Sequence, residues 1–287
     1  MNKLITSSTD EKTDEIDEIL QDAENIILAS NGDTKKHIRN KGLIIFAIVI
    51  AILAILLLAF STVFALININ SNKIMNGVFI QGIDVSGLTT DEAKEKADAW
   101  INEVKGTITD IKNKIGDVNS EKAVYYVNGE KSKGLYYSDG GNSMISRIYD
   151  VANVRLATEM YEVLNVHKVS DEEMIRLNPY AMMIGGSYQT NLFTSLAESQ
   201  VWSALECNQN NRIYHIPVCM QGIENVGAET SLMLKYTANL FNPTYEFDMK
   251  TEMKSTIKKY FNYDLTDTDV ENMSKGLDKN GENMIHG

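Results

Sequence analysis

Between Leu43 and Ile67 the chain runs twenty-five residues without a charge, LIIFAIVIAILAILLLAFSTVFALI, with only Ser61 and Thr62 polar. At about 1.5 Å per residue a helix of that length reaches roughly 37 Å, more than the ~30 Å hydrocarbon core of a bilayer. The forty-two residues before it and the length of the run itself set it apart from a cleavable signal peptide. Lys35, Lys36, Arg39 and Lys41 flank its N-terminal side, whereas Lys73 is the one basic residue among the twenty that follow. The expectation is a single-pass protein of the cell membrane, in contact with membrane lipid, with its N-terminus cytoplasmic and its C-terminal domain extracellular.

This division frames the rest of the chain. Residues 1–42 form an acidic tail with a basic juxtamembrane end. Within it Ile16, Ile19, Leu20, Ala23, Ile26 and Ile27 recur at helical spacing opposite an acidic face. Beyond the span, residues 68–139 read as a membrane-proximal α+β unit and residues 142–287 as a mainly helical unit, with Gly140 and Gly141 between them. The fold class expected is therefore α+β: a single transmembrane helix followed by a mixed ectodomain. Lys and Arg total 27 against 39 Asp and Glu, a net charge of −12, and such a balance argues against nucleic acid as a partner. Two cysteines, Cys207 and Cys219, are too few for a four-thiolate metal site. They are left as small buried apolar residues or as one disulfide pair.

Local patterns place the elements. Val78, Ile80, Ile83 and Val85 suggest a short strand interrupted at Gly82, where a bulge or a close backbone approach is expected. Thr89 followed by Glu92 is a capping box, and Ala93, Ala97, Trp100, Ile101 and Val104 share one helical face. Residues 122–138, KAVYYVNGEKSKGLYYS, have the form of a long-loop hairpin. Its tyrosines Tyr125, Tyr126, Tyr136 and Tyr137 are candidate sugar-stacking residues, with cross-strand packing as the alternative. Helices are expected over 143–164, 170–177, 189–205 and 229–240, and a buried strand over 213–220. Residues 244–263 are ambiguous between strand and helix.

The run from Gly77 to Val104 resembles the opening of the peptidoglycan-binding domain of Gram-positive membrane-anchored envelope proteins, as in L,D-transpeptidases and vancomycin-resistance-W-like proteins. Gly77, Val78, Ile80, Gly82, Ile83, Asp84, Val85, Gly87, Leu88, Thr89, Glu92 and Ala93 carry the resemblance. It implies peptidoglycan as a partner. The Ser-His-Gly-Cys motif of the transpeptidase module is absent, and Pro217 separates His215 from Cys219.

Three functions follow as expectations. The first is a non-enzymatic envelope protein that binds wall polymer or another envelope protein. The second is an enzyme resembling the lytic transglycosylases, with Glu198 as catalytic acid beside Ser199 and with Met220 and Gln221 downstream. The third, by architecture, is a bitopic assembly factor of a secretion or conjugation apparatus. No cofactor is expected, and no metal: Asp278, Asn280 and Glu282 alternate as in a calcium loop, but the loop glycine is replaced by Asn283. The Ser255 and Lys258 pair lacks its companion KTG motif, and HExxH, Walker and dinucleotide fingerprints are absent.

Overall fold

The computed structural model describes residues 48–63, 72–116, 121–164 and 167–284. Its contacts divide the chain into two compact units, 1–71 and 72–287. The amphipathic stretch of the tail and the ends of the apolar run, 43–47 and 64–67, lie outside the described residues.

In the first unit a helix covers 48–63. Among the described residues no helix is long and apolar enough to cross a membrane. The expected transmembrane helix over 43–67 is corrected accordingly.

The second unit begins with a two-residue hairpin, β1 (Phe79–Ile80) and β2 (Ile83–Asp84). Gln81 and Gly82 turn the chain with φ of 49° and 74°, the pair of positive angles that joins antiparallel strands without splaying them. Helix α1 (Thr90–Ile115) follows, and its capping box forms as expected: the Thr89 hydroxyl accepts from the Glu92 N–H while a Glu92 carboxylate oxygen accepts from the Thr89 N–H.

The centre is a four-stranded, wholly parallel sheet in the order β5-β3-β7-β8, built from β3 (Ala123–Val127), β5 (Arg155–Leu156), β7 (Ala181–Ile184) and β8 (Ile213–His215). Val124 pairs with Ala181 and Val127 with Ile184 in register. Residues alternate across the sheet. Val124, Tyr126, Ala181 and Met183 enter one core with α1, α2 (Met144–Val151), α7 (Thr230–Phe241) and α8 (Met249–Phe261). Tyr125, Val127, Met182 and Ile184 enter a second core with α3 (Asp171–Leu177), α4 (Gln189–Glu198), α5 (Gln200–Ser203) and α6 (Glu206–Gln209). Burying both faces is what a parallel sheet requires. Each fully buried Ile or Met contributes about 1.5–3 kcal/mol, and Met182, Met183 and Ile184 are all fully enclosed. Helix α9 (Asp267–Ser274) closes the described chain, with Val270 in the first core.

The fold is thus α/β, and the expected α+β class is corrected. The reason lies in strand length: no strand of this sheet exceeds five residues, too short for periodicity to separate it from a helical segment. The expected hairpin over 122–138 does not form. β3 pairs in parallel with β5 and β7, whereas β4 (Tyr137–Ser138) pairs antiparallel with β6 (His167–Lys168). The helix expected over 143–164 ends at Val151, because Asn153 takes a φ of 56° and returns the chain into β5. The helix expected over 189–205 breaks at Ser199, whose hydroxyl accepts from the Trp202 N–H and starts α5. Of the ambiguous stretch, 249–261 is helix α8. Gly140 and Gly141 pack against the backbone of 159–163, where a Cβ on Gly141 would stand 2.2 Å from the Glu159 carbonyl oxygen.

A close backbone approach joins the ends of β3 and β7. Gly129 has a φ of 75°, and a Cβ there would lie 1.6 Å from the Gly185 carbonyl oxygen. Gly129→Ala therefore combines a left-handed backbone with a steric collision against main chain and should cost about 3 kcal/mol or more, roughly 6–12 °C in Tm. Gly134→Ala, with a φ of 60° but nothing within 4 Å, should cost only about 1 kcal/mol. Thermal denaturation followed by circular dichroism checks the difference, and equal losses would show that the crossing of the two strand ends is not a tight constraint.

Candidate functional site

The chain order of the parallel strands singles out one edge. From β3 the chain passes through α2 to β5 on one side, and from β7 it passes through α4, α5 and α6 to β8 on the other. Helix α2 packs in the first core and α4 in the second, so the connections leaving the carboxyl ends of β3 and β7 diverge to opposite faces. In open parallel sheets a crevice at such a reversal is where ligands bind.

A cavity of about 350 Å³ opens there. It is lined by Tyr126, Asn128, Glu130, Lys133, Asp139 and Glu224, with Met144 and Ile145 of α2 among its apolar walls. Lys133 Nζ lies 2.7 Å from Glu130 Oε1 and 3.4 Å from Asn128 Oδ1, a rim pair with a half-exposed carboxylate. Tyr126 comes from the last turn of strand β3, its ring carried into the first core by alternation and its hydroxyl ionisation pushed well up by burial.

Glu224 is the unusual member. Its side chain is 7% exposed, and Oε1 accepts from the Gly186 N–H at 2.8 Å. Oε2 is buried with no hydrogen-bond partner. Two glycines make room for the carboxylate: a Cβ on Gly185 would meet Oε1 at 2.5 Å, and one on Gly222 would meet Oε2 at 2.3 Å. Burial raises its pKa to about 7, against the lowering effect of the backbone hydrogen bonds, with the Glu229 and Asp139 charges adding to the rise. Glu229 holds the same loop from behind. It is fully buried, Oε1 accepts from the Met220 N–H at 2.9 Å, and burial raises its pKa also. Trp100 of α1 donates its indole N–H to the Gly227 carbonyl at 3.0 Å and fixes the far end of that loop.

His215 ends β8. Its Nδ1 lies 2.8 Å from Gln189 Oε1 and its ring stacks on Phe193 with centroids 3.8 Å apart. The Gln189 amide N–H groups donate to the carbonyls of Gly186 and Ile216, so its oxygen is left to accept from an Nδ1–H. Burial lowers the His215 pKa to about 4, and the imidazole stays neutral near pH 7.

The residues singled out from the sequence are dispersed. Tyr125 is fully buried in the second core and donates its hydroxyl to the Leu135 carbonyl, while Tyr126 faces the opposite core and the cavity. Tyr136 packs edge-on against Trp202 with centroids 5.3 Å apart, and Tyr137 pairs with Lys168. Glu198 stands exposed at the last turn of α4. Cys207 and Cys219 are free thiols in cores on opposite faces of the sheet; burial pushes the Cys207 thiol up to about 11. Asp278 closes its own turn, with Oδ1 accepting from the N–H groups of Asn280 and Glu282. Among the described residues there is no cluster of three or more His, Cys, Asp or Glu suited to a metal ion. Glu224 was missed because in the sequence it is one acid in the loop QGIENVGAE; the flanking Gly222 and Gly227 were the available signal.

Comparison with known proteins redirects the functional reading. A family model described as periplasmic binding protein matches residues 83–218, from β2 to just past β8. Solved structures share the fold: a periplasmic solute binding protein of Veillonella parvula (22% identity, TM-score 0.52, covering 63% of this chain and 55% of that one); an ABC transporter solute binding protein of Sulfurospirillum deleyianum (18%, 0.55, 64% and 57%); and the molybdate periplasmic binding protein of Haemophilus influenzae (13%, 0.53, 61% and 53%). The chain thus spans little more than half the length of these structures. No curated protein matches.

These findings correct the resemblance drawn on residues 77–104, since the matching family is not a peptidoglycan-binding domain. The wall-binding reading falls with it, as do the transglycosylase reading on Glu198 and the assembly-factor reading. Membrane lipid and peptidoglycan are not supported as partners, nor is the single-pass membrane localisation with an extracellular C-terminal domain. Members of the matched family are ligand-binding components of transport, not enzymes, in keeping with the expectation of a non-enzyme.

Glu224 makes a stability prediction whose sign is fixed. Its folded pKa, about 7, lies above the ordinary carboxyl value of 4.5, so the fold favours the protonated form. The stabilisation is complete below about pH 4.5 and is lost as pH rises to about 7, a total of roughly 3 kcal/mol. Glu224→Gln, which cannot ionise, should therefore gain stability relative to the native chain by roughly that amount between pH 5 and pH 8. Urea titrations at the two pH values measure it, and a pH-independent difference would refute the buried, weakly acidic carboxyl.

Proposed function

We propose that this protein is a solute-binding protein, capturing a small molecule and presenting it to the permease of an ABC transporter. The observation that carries the reading is the cavity at the carboxyl ends of β3 and β7, where the sheet's connections diverge and Tyr126, Asp139 and Glu224 converge. The solute-binding proteins of Veillonella parvula and Sulfurospirillum deleyianum, with which the fold is shared, support transport as the setting. The chemistry is binding alone: polar groups on a rigid sheet edge orient the solute, and the apolar side chains of α2 exclude water from one wall.

Binding requires no covalent step, so affinity is the quantity to measure. A thermal-shift screen of the full chain against small neutral, anionic and cationic solutes should find a set that raises Tm. Met144, 40% exposed on the cavity wall, offers a way to block the space without disturbing a core. Met144→Trp should abolish the shifts while leaving the unliganded Tm within about 2 °C, as expected of a surface substitution. Shifts that survive Met144→Trp would place the solute elsewhere.

A further inference from the structure

A second cavity, of about 580 Å³, shares no lining residue with the one at the sheet edge. Four parts of the chain converge on it: Phe79 of the N-terminal hairpin, Lys96 of α1, Met220 of the loop after β8, and Lys259, Tyr260 and Phe261 at the end of α8. Two of these residues, Tyr260 and Phe261, also belong to a small third core, in which Ile83 and Ala228 are buried and Trp100 is packed against them. Phe79 and Met220 are each 55% exposed and both border the cavity, so apolar surface of both is left in water there. A volume of this size, with aromatic walls and a few polar groups, is the ordinary make-up of a small-molecule pocket, for which roughly 300–1,000 Å³ is usual.

The charge of the lining runs against that of the chain. The protein carries −12, yet around this space two lysines, Lys96 and Lys259, stand against one acid, Asp84. Asp84 is occupied by its own surroundings: Oδ1 accepts from the Ser86 N–H at 2.9 Å, and the main-chain carbonyl accepts from Lys96 Nζ at 2.7 Å. That neutral carbonyl takes one of the three N–H donors of Lys96 and none of its charge. Lys259 pairs with Glu103 and lies 4.9 Å from the centroid of the Tyr260 ring, whose hydroxyl donates to the same carboxylate at 2.6 Å. We propose that this cavity is a second ligand site, separate from the solute cavity, and that it takes a planar aromatic compound bearing a carboxylate. The ring covers Phe79, Phe261 and the Met220 side chain, since aromatic and thioether surfaces favour a π-face. The carboxylate accepts from Lys96 in a charge-assisted hydrogen bond. A ring bearing an ammonium group would instead add a third cation to the lining.

The test is an NMR titration of the full chain, isotope-labelled at the methionine methyls, with 2-naphthoate and with 2-naphthamide as its uncharged isostere. Met220→Leu and Met144→Leu assign the two signals that report on the two cavities. The expected result is a saturable shift of the Met220 signal with 2-naphthoate while the Met144 signal stays in place, and binding of 2-naphthamide at least about tenfold weaker. Phe79→Ala should weaken the binding about fivefold, and as a change at an exposed side chain that removes no hydrogen bond it leaves the fold intact. Lys96→Gln should weaken it about tenfold, and Lys96→Arg, which keeps the charge, should restore it to within about threefold. A Met220 signal unmoved by 2-naphthoate overturns the site. Equal binding of 2-naphthamide, or undiminished binding of 2-naphthoate by Lys96→Gln, overturns the carboxylate assignment. A Met220 signal that shifts with protein concentration alone makes a second copy of the chain the occupant and overturns the proposal. If 2-naphthoate shifts the Met144 signal only, this second site falls while solute capture at the first cavity stands.

Discussion

The parallel pairing of β3 with β7 is the constraint from which the rest of the second unit follows. Four residues of each strand run in register, Val124 with Ala181 through Val127 with Ile184, and all eight are buried. A parallel pair cannot be closed by a tight turn, so every return of the chain must be a crossover that lies on one face or the other. The crossovers divide: α2 covers one face and α4 the other. That division generates both cores and leaves the carboxyl ends of β3 and β7 without a shared covering element. Gly129, Gly185 and Gly186 then let the two strand ends come together in a space no side chain could enter.

Glu224 is intelligible only against that packing. The Gly186 amide that binds Oε1 is presented because Gly186 itself turns with a φ of 70° directly after β7. The loop that delivers the carboxylate is held at three points, by Glu229 on the Met220 amide, by Trp100 on the Gly227 carbonyl, and by the Ala228 amide on the Gln81 carbonyl. Those anchors come from the start of α7, from α1 and from the N-terminal hairpin. Their effect is to hold an acid where solvation would otherwise draw it out. A carboxyl kept buried with one oxygen unsatisfied lowers stability at neutral pH.

Much of the local structure was legible. The capping box at Thr89 and Glu92, the cap at Ser170, and the helix near 229–240 rest on short-range hydrogen bonding or strong periodicity, and each appears where the residues place it. The architecture was not. Strand β7 is AMMI, four residues that carry no alternation because both faces are buried, and nothing in them separates a central strand from the end of a helix. The paired tyrosines of β3 looked like one arm of a hairpin because NGEKSKG has turn composition. In the structure Gly129 serves instead to clear the Gly185 carbonyl, a contact with a residue fifty-six positions later. Long-range demands of this kind leave the same glycine in the sequence as a local turn does.

The site was less legible than the fold for a related reason. Its residues come from the end of β3 and the loop after it, the residue following β4, the start of α2, the end of β7 and the loop after β8, and no spacing rule links them. What marks Glu224 is its burial at the cavity beside the Gly186 amide and the two glycines, Gly185 and Gly222, that make room for its carboxylate, properties of packing rather than of sequence. The exposed acid Glu198 carried the more familiar motif, and the buried acid twenty-six residues later carries the more perturbed environment. Where two acids compete for a functional reading, the one the fold pays to bury is the better candidate, because solvent offers an exposed carboxylate everything a ligand would.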